Sequence, residues 1–126
     1  MRKVYQSGTI WEELASFSRA LKLENTIYIS GTTATDNEGN VVGKGNVEEQ
    51  TRYILVKIKT ALSYFNASLE NIVRTRVYIK NINDWEKVAK LHGEYFKNIL
   101  PANTMVQAGI IGEEYLVEIE AEAFIN

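Results

Sequence analysis

The chain has 126 residues, 45% hydrophobic and 24% charged, with 8 glycines and 1 proline. That length makes one domain, residues 1–126, and the balance excludes a disordered or low-complexity polypeptide. A net charge of -2, no cysteine and a single histidine exclude disulfides, thiolate catalysis and a multi-histidine metal centre within one chain.

The same charge gives no basic excess to hold a polyanion, so nucleic acid is not an expected partner. Glu12, Glu13, Arg19 and Lys22 interrupt the N-terminal region, which therefore lacks an apolar block of signal-peptide type. No run reaches the ~18 apolar residues of a membrane span. The expectation is a soluble, cytoplasmic protein with no membrane partner, no bound metal and no cofactor.

In chain order, Phe17, Arg19, Leu21 and Leu23 alternate with Ser18, Ala20 and Lys22, the pattern of a strand. Glu24-Asn25 is a two-residue turn, and Thr26 to Ser30, β-branched and aromatic, is the returning strand. Asp36 to Asn40 is a turn cluster. Asn46-Val47-Glu48-Glu49 resembles a capping box and opens a helix that ends near Asn66. Its apolar stripe is Val47, Thr51, Ile54, Ile58, Ala61, Leu62 and Phe65, with Glu48, Arg52, Lys57 and Lys59 on the exposed face.

Val73 to Ile79 is the next strand, with Val73, Thr75, Val77 and Ile79 on one face and Arg74, Arg76 and Tyr78 on the other. Asn83 or Asp84 caps a second helix whose stripe is Trp85, Val88, Leu91 or His92, Tyr95, Phe96 and Ile99, and Pro101 stops it. Thr104 to Ala108 leads through a turn at Gly112 to the last strand, with Val117, Ile119, Ala121 and Ala123 inward and Glu118, Glu120 and Glu122 outward. The order ββαβαββ makes an α+β fold, one sheet with two helices packed on one face. The polar face is either solvated or meets copies of the same chain, arginines pairing with carboxylates.

Ile29-Ser30-Gly31, Gln50, the strand Val73 to Ile79, Pro101-Ala102 and Val117-Glu118-Ile119-Glu120-Ala121 stand in the order and spacing of a known family. The chain resembles the reactive intermediate deaminase (Rid, or YjgF-like) family, also labelled endoribonuclease L-PSP, over nearly its whole length. The resemblance implies a chorismate-mutase-like fold and a homotrimer in which three sheets form a central β-barrel with clefts between subunits. It also implies hydrolysis of imine or enamine acids. The residue after Pro-Ala, an arginine in active members, clamps the substrate carboxylate, a glutamate matching Glu118 positions water, and the Ser30-Gly31 turn of the neighbouring subunit lines the cleft.

Three positions depart from that pattern: Asn103 replaces the arginine, Phe17 a tyrosine and Ala89 an asparagine. A neutral amide cannot supply a charge-assisted clamp. Trp11-Glu12, Arg19-Ala20, Ser30-Gly31-Thr32-Thr33-Ala34, Asp84-Trp85, His92-Gly93 and Thr104-Met105 resemble a branch lacking the arginine, whose members are generally not regarded as imine deaminases.

The implied catalytic residue is Glu118. The implied ligand-binding residues are Phe17, Arg19, Ser30, Gly31, Ala89, Asn103, Thr104 and Met105. Arg19 reads either as a surface or interface arginine or as a relocated anion clamp. His92 reads as a boundary histidine satisfied by one hydrogen bond or as an acid–base group. Ser30 is a turn residue or ligand hydrogen-bonder rather than a nucleophile, and Trp11 and Trp85 are core or interface packing. The expected partners are the chain itself and a small molecule, a carboxylate or an imine. Whether the protein is an enzyme stays open against a non-enzymatic binding or holdase-like role, with ribonuclease a third reading.

Overall fold

Asn46 starts the long helix as its sequence requires: its side chain accepts from the Glu49 N–H at 3.0 Å. In the computed structural model, which describes residues 1–126, this helix, α2, spans Val47–Tyr64. It is preceded by β1 (Arg2–Tyr5), α1 (Ile10–Ala15), β2 (Ala20–Leu23) and β3 (Thr26–Thr32). It is followed by β4 (Ile72–Ile79), α3 (Trp85–Phe96), β5 (Ala102–Gln107) and β6 (Val117–Phe124). All seven stripe positions of α2 are buried, as the helical spacing predicts. Lys57, expected on the exposed face, is instead half-buried, because its stem lies along the protein and its Nζ donates to the carbonyls of Thr33 (3.2 Å) and Thr35 (2.9 Å).

α3 begins at Trp85 with Asp84 in the capping position, although the Asp84 side chain makes no capping bond. Val88, Leu91 and Phe96 are buried, whereas Trp85 is 54% exposed and lies outside the core.

The strands form one sheet in the order β1-β2-β3-β6-β4-β5. β6 runs between β3 and β4, antiparallel to both, and β5 lies parallel to β4 at the edge. Both β1 and α1 are additions to the predicted ββαβαββ order. β1 is a short, mostly exposed edge strand, and α1 leaves Ile10 and Leu14 in solvent, so neither carries a readable apolar stripe. The strand predicted from Phe17 begins at Ala20, with Phe17 and Ser18 in the approach to it. Gln50, fully buried, joins distant segments: Nε2 donates to the carbonyls of Gly43 (3.1 Å) and Glu114 (3.0 Å), and Oε1 accepts from the Leu116 N–H (2.9 Å).

One sheet face, bearing Ile27, Ile29, Val77, Ile79, Val117, Ile119, Ala121 and Ala123, is buried. α2 packs on it, and α3 reaches it through His92 and Thr75. The opposite face is open. There Arg74 pairs with Glu122 (3.4 Å), and Arg76 with Glu120 (3.2 Å) and Glu122 (3.3 Å). Tyr78 Oη donates to Glu120 at 2.6 Å. Beside this ladder the same face exposes Val4, Leu23, Tyr28 and Phe124.

Candidate functional site

Between β3 and β6 the register runs Ile29↔Ala121 and then Thr32↔Ile119, so Ser30 and Gly31 together oppose a single residue of β6. This is a β-bulge, a device that bends a strand and re-aims its neighbours. Gly31 is there for space: its φ is not left-handed, but a Cβ on it would overlap Oε2 of Glu118. Burial raises the Glu118 pKa, with the charge of Arg19 pulling it down and that of Glu120 pushing it up. Among the three outward glutamates of β6, Glu120 and Glu122 are paired with arginines, while Glu118 has no hydrogen-bond or ion-pair partner in the chain.

Arg19 holds the bulge from behind. It is 3% exposed, and its Nη1 donates to the Gly31 carbonyl (2.6 Å) and to Thr32 Oγ1 (3.1 Å). Nε and Nη2 both donate to Glu12 Oε2 at 3.3 Å. The guanidinium carbon lies 5.4 Å from the centre of the Phe17 ring, a cation–π distance. Glu12 also accepts from the Ser7 N–H (2.8 Å), from Thr9 Oγ1 (2.8 Å) and from the Ser7 hydroxyl. Burial pushes the Glu12 pKa up, but these hydrogen bonds and the Arg19 charge together hold it below its ordinary value. Arg19 is thus neither a surface arginine nor a free one: it makes four hydrogen bonds inside its own chain. Lys57 lies on the same side, beside a cavity of about 220 Å³ that Arg19 and Tyr53 also line. Burial, aided by the Arg19 charge, pulls its pKa down to about 8.

Ser30 Oγ donates to the Ser18 carbonyl at 2.8 Å, which occupies it as a turn residue. Phe17, Ser18 and Ser30 line one end of an open groove of about 710 Å³ that continues over Leu21, Tyr28 and Val4. Arg2, at the other end of β1, is three register positions from the Tyr5↔Ala20 pair.

Asn103 belongs to a second group. Its Nδ2 donates to Thr75 Oγ1 at 2.9 Å, and Thr75 Oγ1 lies 2.8 Å from His92 Nε2. Burial lowers the His92 pKa. Asn103 is paired in register with Thr75 and Met105 with Val77, so both belong to the helix-side face. Thr104 pairs with Arg76 and lies on the open face, exposed. Ala89 is half-buried on α3.

The structure therefore brings Phe17, Arg19, Ser30, Gly31 and Glu118 together within one chain, and places Asn103 and Met105 apart from them. The Ser30-Gly31 turn beside Glu118 is the chain's own and not a neighbouring subunit's, because β3 and β6 are paired strands of one sheet. Glu118 and Asn103 are on opposite faces of one sheet, since Glu118 pairs with outward Tyr78 and Asn103 with inward Thr75. Thr75, a threonine within a valine–isoleucine stripe and absent from the expected site, is the residue that links Asn103 to His92. No group of three His, Cys, Asp or Glu side chains is placed to hold a metal ion. No helix is long and apolar enough to cross a membrane.

Residues 9–125 match the family described as Endoribonuclease L-PSP. A RutC family protein of Pyrococcus horikoshii is 31% identical over 124 residues, which cover 98% of either chain. A protein named 3-aminoacrylate deaminase RutC, from Acinetobacter baylyi, is 31% identical over 112 residues, 89% of either chain. The crystal structure of a YjgF-family member from Mycobacterium tuberculosis aligns with a TM-score of 0.90 at 33% identity, covering 99% of this chain and 100% of that one.

Proposed function

This chain belongs to the endoribonuclease L-PSP (YjgF/Rid) family, and from that premise we propose that it is a homotrimer that binds a small metabolite in clefts between subunits and hydrolyses an imine or enamine there. The observation that carries this reading is Glu118: half-buried, raised in pKa, unpaired, and set against the bare backbone of Gly31. A carboxylate so placed suits a general base. Water adds to the C=N carbon, Glu118 takes its proton, and the nitrogen leaves as ammonia while the carbon becomes a carbonyl. An enamine enters the same path after tautomerising to the imine. The name of the Acinetobacter baylyi relative, a 3-aminoacrylate deaminase, describes chemistry of this class.

With Glu118 and Asn103 on opposite sheet faces, a cleft containing both needs two copies. The exposed apolar residues of the open face and the unpaired edge of β5 are the surfaces such copies would cover. Asn103 is neutral, so anionic 2-imino acids are held weakly.

The test measures ammonia release from imines generated in place: 2-iminobutanoate from a dehydratase and neutral imines from an amine oxidase. Glu118→Gln should lower turnover by about 100-fold with the oligomer mass unchanged; equal turnover by the variant would overturn the reading. A non-enzymatic binding protein is the second reading, favoured by the missing clamp at Asn103. Ribonuclease activity finds no support in a net charge of -2.

A further inference from the structure

Asn103 stands where the resemblance expects an arginine, and its amide is held to the sheet by a hydrogen bond. Its Nδ2 donates to Thr75 Oγ1 at 2.9 Å, and that hydroxyl lies 2.8 Å from His92 Nε2. A hydroxyl has one proton to give. Thr75 accepts from Asn103, and His92 is its one other side-chain partner in the chain, so its proton points to His92 Nε2. That nitrogen is then the bare one of a neutral ring carrying its hydrogen on Nδ1. Thr75 is fully buried, so water cannot stand in for either partner. Burial, with no charged group contributing, holds His92 below its ordinary pKa, consistent with a neutral ring.

Two N–H groups and one oxygen make up the amide. One N–H is spent on Thr75; Oδ1 and the second N–H have no partner in the chain, and Asn103 is exposed on the edge strand. The arginines near the bulge and on the open face do not offset this neutrality. Arg19 is tied to Glu12, and Arg74 and Arg76 to Glu120 and Glu122.

We propose that the Asn103–Thr75–His92 relay sets the ligand class: the cleft takes a neutral group with both a donor and an acceptor, a primary amide, urea or carbamate, where an arginine would clamp a carboxylate. The inference rests on the reading in which Asn103 of one copy faces Glu118 of the next. A carboxylate there meets the lone pairs of Oδ1 and the charge of Glu118. An amide edge pairs with Asn103 through two hydrogen bonds. Thr75 and His92 are positioning residues, since they act only through Asn103.

The test follows the Asn103 side-chain amide and the His92 ring nitrogens by NMR in the full-length ¹⁵N-labelled protein, titrated with propionamide and with propionate. His92 Nε2 is expected to be unprotonated, and propionamide to shift the Asn103 signals and bind at least about tenfold tighter than propionate. Thr75→Val keeps the volume and removes the hydroxyl; it should cut that preference to about threefold or less, while Thr75→Ser keeps it. A protonated Nε2, equal binding of the two probes, or no shift at Asn103 with either would overturn the proposal. The tautomer measurement needs no variant, so a Thr75→Val chain that fails to fold does not shelter the idea. None of these readouts is turnover. A protein that hydrolyses no imine leaves the relay standing, and a wrong tautomer leaves the role of Glu118 standing.

Discussion

The carboxylate of Glu118 fills the space that a side chain on Gly31 would occupy. The two residues meet because the bulge in β3 puts Ser30 and Gly31 opposite one residue of β6, and Arg19 then grips the Gly31 carbonyl from the buried side. Gly31→Ala should therefore force the carboxylate or the bulge to move. The expected cost is about 1–3 kcal/mol, read as a lower urea midpoint, with turnover falling as well. Gly31→Ala combined with Glu118→Ala should recover most of the stability, because the two changes share one clash. Strict additivity of the two would contradict the contact.

Glu118 should weaken the fold at neutral pH. Its folded pKa is raised by burial, so the folded state holds the proton more tightly than the unfolded state. Stability then falls as pH rises from the ordinary carboxylate value of 4.5 through the higher folded value. Glu118→Gln should raise the melting temperature at pH 7, and the gain should shrink as the pH approaches 4.5. An unchanged melting temperature at pH 7 would mean that the carboxylate is not desolvated.

The Glu12–Arg19 pair behaves in the opposite sense. The folded pKa of Glu12 is lowered, so its contribution is present above the ordinary value of 4.5 and is lost as pH falls through the lower folded value. Glu12→Gln leaves a buried guanidinium without its counter-charge and should cost about 3–5 kcal/mol at pH 7. Urea midpoints of the two proteins should converge below that window. A variant as stable as the native chain at pH 7 would show that the pair is not what holds Arg19.

Restoring the clamp is the direct test of Asn103. The native protein should turn over 2-iminobutanoate slowly, and Asn103→Arg should be faster by about tenfold or more, since a guanidinium binds a carboxylate by charge-assisted bonds. Inactivity of both proteins would place the loss at Phe17 and Ala89 as well.

Much of this architecture is legible in the chain because one-dimensional periodicity reports burial. The α2 stripe from Val47 to Phe65 and the β6 alternation of Val117, Ile119, Ala121 and Ala123 are both buried as their spacing demands. The segments that escape have no such period. Arg2–Tyr5 is an edge strand with little to bury, and Ile10–Ala15 is under two turns long.

The site is less legible, for a different reason. Its decisive contacts join residues that no local pattern links. The Glu12–Arg19 pair bridges a helix and the approach to a strand. Lys57 has helical spacing that reads as exposed, yet its amine is captured by the carbonyls of Thr33 and Thr35 from a preceding loop. Resemblance points to Glu118, Gly31 and Asn103, but only the sheet register reveals that the first two adjoin and that the third faces the other way.

That opposition has a genetic corollary. A copy spoiled at Glu118 still carries a sound Asn103, and a copy spoiled at Asn103 still carries a sound Glu118. In the proposed ring assembly, equal mixtures of two such defective chains associating at random should rebuild an intact cleft at about one junction in four, although neither parent can form any. Two null alleles of this single gene would complement each other, and a subunit defective at one of the two residues would silence the cleft on one side of it and leave the cleft on its other side intact.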